Sequence, residues 1–439
     1  MTRTMSGFFW ISLYLLVIFL PVLAMLVPPA PSGRGLWLEF SVVLGFVGLT
    51  QIAVQFILIA RFKRVTSPYG IDIILQYHRQ IALVAVAAIL AHPIIIVIDN
   101  PSRIKLLNPF GGNWASRCGW LSILSLVAIV VTSLFREKLK LRYEVWRFLH
   151  LVLGLSAVVF AQLHVSMAGL YTNTFWKQAV WILMAVVMVG MVIYLRLIKP
   201  ARQNEYRWEV AEVRAERGDV HTLVLKPVGH EGMTFLPGQF AWLKLAGSPF
   251  TLEEHPFSIS SSAEHPEKIE MSVKALGDFS SKIGSVPVGT RAYLDGPHGA
   301  FTIDRYPAIG YVFIAGGVGI TPILSFLRTM AERKDPRPVM MFYAAMNEEE
   351  LTFFEELESL KKQMKLEIHY VLQEPADDWG GPRGFIDTDL LTKHLPEEAR
   401  KRDHFFICGP PPMLEAIHTG LKEMEVGELR IQMERFDLV

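Results

Sequence analysis

Two long apolar stretches each carry a pair of histidines at one spacing: His78 and His92 in "HRQIALVAVAAILAH", and His150 and His164 in "HLVLGLSAVVFAQLH". An imidazole in hydrocarbon is costly unless a partner satisfies it. Fourteen residues make just under four helical turns, so the two rings of a pair face nearly the same way, about 21 Å apart along the axis. Any one of these histidines is as readily a hydrogen-bonding contact between helices, or a side chain reaching for the interface from a span end. The repeated separation argues for more. In two spans that run in one direction it sets His78 level with His150, and His92 level with His164. Two facing imidazoles at each of two depths are the arrangement of two stacked haems with bis-histidine ligation. No carboxylate stands between the histidines of either pair to complete a zinc set. Arg79 and Arg147 accompany His78 and His150. They are expected to pair with propionates of the inner haem, or to be ordinary basic residues at a membrane face.

Helices that hold such pairs must lie in lipid. The chain has 439 residues and a net charge of +1, with a mean hydropathy of +0.32, high for a soluble protein of this length. Apolar runs long enough to cross a bilayer lie roughly over residues 8 to 27, 37 to 60, 72 to 98, 118 to 135, 145 to 166 and 175 to 197, six predicted spans. The first is followed by no small-residue cleavage site, so it reads as a span and not as a signal peptide. Basic residues cluster in "RFKR" (Arg61 to Arg64), in "REKLKLR" (Arg136 to Arg142) and between Arg196 and Arg207, whereas "SMAGLYTNT" has none. Both termini are therefore expected in the cytoplasm, with the protein integral to the plasma (inner) membrane. No basic run points to nucleic acid. Cys118 and Cys408 lie far apart and on opposite sides of the membrane, which disfavours a disulfide or a cysteine metal site.

After Pro200 the composition becomes that of a soluble α/β protein. Residues 203–303 read as short strands punctuated by Gly and Pro, which predicts an antiparallel β-barrel. Over residues 308–439 strands alternate with helices, the rhythm of a parallel nucleotide-binding sheet. The expected fold class is thus a multi-domain membrane protein: an all-α six-helix bundle over 1–200, a β-barrel, and an α/β domain.

"HPFSIS", His255 to Ser260, sets a chargeable ring, an aromatic plate and short hydroxyls on one strand. That suits a flavin, and equally an edge strand with a harmless His-Pro. The segment resembles the flavin signature of the ferredoxin-NADP reductase superfamily, in the form found in NADPH oxidases and ferric reductases. The resemblance implies that Phe257 packs on the flavin, that Ser258 bonds near its N5, and that His255 and the backbone from Pro256 to Ser260 lie by the ribityl-pyrophosphate. "SVKALGDFSSKI" is similar to the second flavin element of that superfamily, which implies Lys274, Gly277 and Ser280 at the pyrophosphate and Phe279 by the adenine. Lysine stands here where arginine is commoner, and it lacks the bidentate fork. "PGQF" (Pro237 to Phe240) and "DGPHGAF" (Asp295 to Phe301) complete the pattern.

"YVFIAGGVGITPILSFL" reads as a strand, a glycine turn and a helix. Gly316, Gly317 and Gly319 let backbone approach a pyrophosphate, Thr321 is the expected N-cap, and Pro322 suits the first turn. With "ICGPPPM" (Ile407 to Met413) it resembles the nicotinamide half of the same superfamily, where Cys408, Gly409 and Pro410 would line the hydride-transfer site. The arginine that in the family binds a 2'-phosphate is replaced here by Met346, Glu348, Glu349 and Glu350, which favours NADH over NADPH, with Arg383 as a further candidate contact. Phe436, close to the C-terminus, is the candidate aromatic that stacks on the flavin.

Taken over nearly the whole chain, the resemblance implies a transmembrane oxidoreductase of the NADPH oxidase and ferric reductase superfamily, prokaryotic type. Electrons would pass from NAD(P)H to FAD, to the inner haem at His78 and His150, to the outer haem at His92 and His164, and out. The expected acceptor is molecular oxygen, giving superoxide. Ferric iron is the alternative, as is donation to quinone or a periplasmic protein through the loop that carries Arg103, Lys105 and Arg117. Family oxidases carry an arginine in the second span near the outer haem, where this chain has Gln51 and Gln55. The loop after the fifth span is short, and nothing in it is expected to cap the outer haem.

Overall fold

A computed structural model describes residues 3–28, 33–62, 70–110, 112–245 and 247–435. The chain divides into two compact units, Met1–Lys199 and Pro200–Val439.

The first unit is helical. Its elements are α1 (Arg3–Leu26), α2 (Leu36–Leu58), α3 (Ile71–Asp99), α4 (Trp114–Leu134), α5 (Tyr143–Ala168) and α6 (Phe175–Ile193), the last running on through Tyr194–Ile198 and Lys199–Glu205. Among the described residues these six are long and apolar enough to cross a membrane. Local chemistry fixes several ends. Asn113 caps α4 by accepting from Ser116 N at 2.9 Å, and Gly169 ends α5 in the left-handed region at φ 67°. The core joins Phe46, Leu49, Ala53 and Phe56 of α2 to Ala85, Leu126, Ala157 and Trp181. α2 packs along α3, and α4 packs along α5. Each histidine-bearing helix is thus backed by the helix that precedes it.

The second unit holds two sheets. Strands β1 (Trp208–Ala215), β2 (Val220–Pro227), β3 (Phe240–Leu245), β4 (His255–Ser258), β5 (Ile269–Lys274) and β6 (Arg291–His298) form an antiparallel half-barrel in the order β4-β3-β6-β1-β2-β5. A parallel sheet follows, built from β7 (Tyr311–Gly316), β8 (Val339–Ala345), β9 (Leu366–Leu372), β10 (His404–Cys408) and β11 (Ile431–Glu434) in the order β11-β10-β7-β8-β9. Its helices are α7 (Ile320–Glu332), α8 (Phe354–Leu360), α9 (Thr388–His394), α10 (Glu397–Arg402) and α11 (Pro411–Glu423). Every residue of β7 is buried, because separate clusters cover the two faces of this sheet. The strand order reverses between β7 and β10, and the crevice beyond their carboxyl ends is where sheets of this kind take ligands.

Candidate functional site

The histidines meet in pairs. The ring centres of His78 and His150 lie 6.1 Å apart, and those of His92 and His164 lie 6.4 Å apart. Two imidazoles bound through Nε2 to one metal at about 2 Å have ring centres roughly 6 Å apart, so both gaps fit a single metal. In three of the four rings Nδ1–H has a close acceptor on the backing helix. His78 donates to Gln55 Oε1 at 2.8 Å, His92 to the Ser41 carbonyl at 2.8 Å, and His164 to the Ala115 carbonyl at 2.8 Å. His150 Nδ1 lies 3.4 Å from Ser133 Oγ, which itself accepts from Trp146 Nε1 at 3.2 Å. Such bonds fix the tautomer and leave the Nε2 lone pair for a metal. The residues therefore fit two sites, at each of which two imidazoles would hold one metal.

The backing helices repeat one device. Four residues beyond Ser41 stands Gly45, and four beyond Ala115 stands Gly119. A Cβ on Gly45 would lie 3.4 Å from the His92 ring, and one on Gly119 would lie 3.1 Å from His164 Nδ1. The missing side chains admit each ring to the carbonyl one turn earlier in its neighbour helix. Sequence reading missed these acceptors, because a backbone carbonyl has no residue-type signature. It also set Gln55 near the other pair, whereas Gln55 bonds His78. Of the two arginines named with the His78 pair, Arg79 is exposed and Arg147 is half-buried.

The short loop after α5 packs against α2 and the segment just before it. Tyr171 and Thr172 are buried. Tyr171 Oη donates to Glu39 Oε2 at 2.5 Å and accepts from Arg34 Nη2 at 2.7 Å, and its ring meets Phe46 edge-on.

In the second unit, β4 and the turn after β5 bring His255, Phe257 and Phe279 together. The His255 ring stacks on Phe279 at 4.1 Å, and Phe257 lies nearly parallel to Phe279 at 6.1 Å. Ser258, beside Phe257, is buried at the end of β4. Ser280 Oγ accepts from the amides of Leu276 and Gly277 at 3.0 and 2.9 Å, so its hydroxyl shapes the turn. A Cβ on Gly277 would meet open space. Lys274 Nζ donates to Glu350 Oε2 at 2.8 Å. Ser260 is fully buried, and its hydroxyl donates to the Glu270 carbonyl and pairs with Ser272. It fastens strands.

At the parallel sheet, Gly316 and Gly319 serve close packing. A Cβ on Gly316 would lie 2.5 Å from Met413 Sδ and 3.1 Å from Pro410, and one on Gly319 would lie 2.3 Å from the Cys408 carbonyl. Gly409 packs equally tightly, with its Cβ position 2.6 Å from Met413 Cε. Gly317 has φ +52° and nothing beside it, so it is the open member of the turn. Thr321 is not the N-cap. A one-turn 3₁₀ lead-in over Gly317–Gly319 starts α7 at Ile320, and Thr321 Oγ1 donates to the Val318 carbonyl, while Pro322 does sit in the first turn. Cys408 is fully buried, burial pushes its thiol up, and it is its carbonyl that crowds Gly319. Arg383 is also committed, since Nη2 donates to the carbonyls of Ala376, Asp377 and Trp379. Phe436 lies outside the described residues.

Ion pairs join the half-barrel to the parallel sheet. Arg328 of α7 donates to the Ser260 carbonyl at 2.9 Å, to Glu270 at 2.8 Å and to both oxygens of Glu356, and Arg214 and Lys268 also reach Glu270. Burial alone would raise the Glu270 carboxyl, but Arg328, Lys268 and Arg214 outweigh it and hold the group at about 2. Sequence reading found none of this, because the partners are scattered over four segments.

Comparison with known proteins gives three matches in chain order. Residues 44–161 match a family described as "Ferric reductase like transmembrane component", residues 185–301 a "FAD-binding domain", and residues 313–419 an "Oxidoreductase NAD-binding domain". The chain is similar to the reductase component of propane 2-monooxygenase from Mycolicibacterium smegmatis, 33% identical over 222 residues, which are 48% of this chain and 62% of that protein. It is also similar to NADH-cytochrome b5 reductase 1 from Pyricularia oryzae, 32% identical over 166 residues, 36% of this chain and 52% of that protein. The chain thus spans about three-fifths or less of the length of these curated relatives. Among solved structures, the ferredoxin reductase in carbazole 1,9a-dioxygenase matches with a TM-score of 0.47 and 26% identity, covering 53% of this chain and 69% of that one.

Proposed function

Given a chain with the NADPH oxidase and ferric reductase type of architecture, a ferric-reductase-like transmembrane component ahead of FAD- and NAD-binding domains, we propose that it is an integral membrane oxidoreductase of the plasma membrane. It carries electrons from cytoplasmic NAD(P)H to an extracytoplasmic acceptor. The observation that carries this reading is the two facing histidine pairs, with ring centres 6.1 and 6.4 Å apart. When bound, FAD would supply conversion of a hydride donor into a source of single electrons, and two b-type haems would supply one-electron carriers within the hydrocarbon. The chain's own part is to bind and orient. His78 and His150 hold one haem and His92 and His164 the other, with Nδ1 directed to the backing helices. Phe257, Ser258, His255, Lys274, Gly277, Phe279 and Ser280 hold FAD. Gly316, Gly317 and Gly319 bring backbone amides and the start of α7 to the nucleotide pyrophosphate, and Gly409 and Pro410 close the far side. Arg79 and Arg147 are the proposed propionate partners. The basic segments from Arg136 to Arg142 and from Arg196 to Arg207 support cytoplasmic termini.

Molecular oxygen is the proposed acceptor, with superoxide as product. The support is the short loop after α5, where Tyr171 and Thr172 are buried: oxygen needs no docking surface, whereas a ferric chelate does. A second reading, donation to a periplasmic protein, rests on the loop where Ile104 and Phe110 stand exposed beside Arg103 and Lys105. The test is NADH-driven turnover by purified protein. We expect cytochrome c reduction that superoxide dismutase abolishes. Ferrous-chelate formation without superoxide, or turnover only when a partner is added, would overturn the oxygen assignment.

A further inference from the structure

The four ring-nitrogen acceptors are not equivalent. His164 bonds the Ala115 carbonyl, and His92 bonds the Ser41 carbonyl at 2.8 Å with Ser41 Oγ 3.0 Å away as well, so each of these rings has a backbone acceptor whatever the side chain beside it. At the other pair, His150 has only the 3.4 Å contact to Ser133 Oγ, so the one close acceptor is a side chain, Gln55 Oε1, 2.8 Å from His78 Nδ1. Gln55 is 4% exposed, on a helix that also buries Leu49, Ile52 and Phe56 and the short hydroxyls of Ser41 and Thr50, each of which donates to a carbonyl. Its Nε2 has no hydrogen-bond partner among the described residues. A primary amide buried in a membrane helix with its donors unmet is unfavourable, and the hydrogen bond that it does make is to the His78 ring.

We propose that Gln55 is a positioning residue that orients the His78 ring and tunes the reduction potential of the His78/His150 centre. The proposal rests on the two-haem reading above. An acceptor on Nδ1–H holds the ring in one rotation and makes the imidazole a more basic ligand. A more basic ligand favours the oxidised metal, so the acceptor lowers the potential.

The experiment uses the full-length protein. Potentiometric titration of haem absorbance and low-temperature electron paramagnetic resonance are recorded for wild type, Gln55→Leu and Gln55→Glu, each also in a His92→Leu background that leaves only the His78/His150 centre. Gln55→Leu is expected to raise the midpoint potential of that centre and shift its largest g value, with the other centre unmoved. Gln55→Glu keeps an acceptor oxygen of higher basicity and is expected to lower the potential. If Gln55→Leu loses that haem, Gln55→Glu alone decides the matter. Potentials unchanged in the variants that keep the haem, or a shift confined to the His92/His164 centre, would overturn the proposal. Wild-type protein without two bis-histidine haems would instead refute the two-haem reading, before any variant is compared.

Discussion

Gly119 and Lys274 show how much can hang on a single side chain, or on its absence. A Cβ on Gly119 would already lie 3.1 Å from His164 Nδ1, tighter than ordinary van der Waals contact. Gly119→Leu is therefore expected to push the ring off the Ala115 carbonyl and to remove or perturb one of two haem signals, leaving the other intact. Haem-to-protein stoichiometry checks this against Gly190→Ala, whose new methyl meets nothing within 4 Å. Lys274 is paired with Glu350, both partly exposed, so it must release that carboxylate to hold a pyrophosphate. Lys274→Ala is expected to weaken FAD binding by about tenfold, the scale of one charge-assisted contact, and Glu350→Gln to strengthen it. Flavin titration by fluorescence quenching reads both, and equal affinities for all three proteins would remove Lys274 from the site. The same pair qualifies the acidic segment that favours NADH, since Glu350 is neutralised by its lysine and Glu349 is the exposed acid of the three.

Helices and strands position what the residues perform. The histidine spacing was readable from sequence because helical geometry turns 14 residues into a distance. What backs each ring was not readable, because Ser41 and Ala115 act through carbonyls and register between helices is set by packing. "GITP" misled for a related reason: a threonine before a proline looks like an N-cap, but the glycine turn puts the N-cap at Gly319, two residues earlier. Across the second unit, the Arg328 guanidinium ties α7 to the strand end that follows Phe257 and Ser258. Arg328→Met leaves Glu270 and Glu356 without it and is expected to destabilise the reductase unit by about 3–5 kcal/mol, the scale for breaking a buried pair. Thermal melting followed by flavin release checks this. Glu270 adds a pH signature. Its carboxyl is held at about 2 in the folded protein against an ordinary 4.5, so its contribution is complete above about pH 4.5 and is lost as the pH falls through about 2. With the full shift expressed this is on the order of 3 kcal/mol. Melting temperature should therefore fall more steeply from pH 5 to pH 3 in wild type than in Glu270→Gln, and parallel profiles would contradict the assignment.

At the scale of the whole molecule, the order of parts could be read from the sequence, because hydropathy, strand punctuation and glycine turns are local signals. The six helices, the antiparallel half-barrel and the parallel sheet follow that order. The ion pairs and helix contacts could not be read, because they join residues far apart in the chain, as Arg328 joins Glu270 over 58 positions. Direction belongs to this scale as well: under the proposed function, electrons move from the nucleotide-binding sheet to the two histidine pairs. The most direct test is a reductive titration of the purified protein. It should show a low-spin b-type spectrum with two haems per chain, and His92→Leu should keep one of them. A spectrum without low-spin b-type haem, or two haems retained in His92→Leu, would contradict the account.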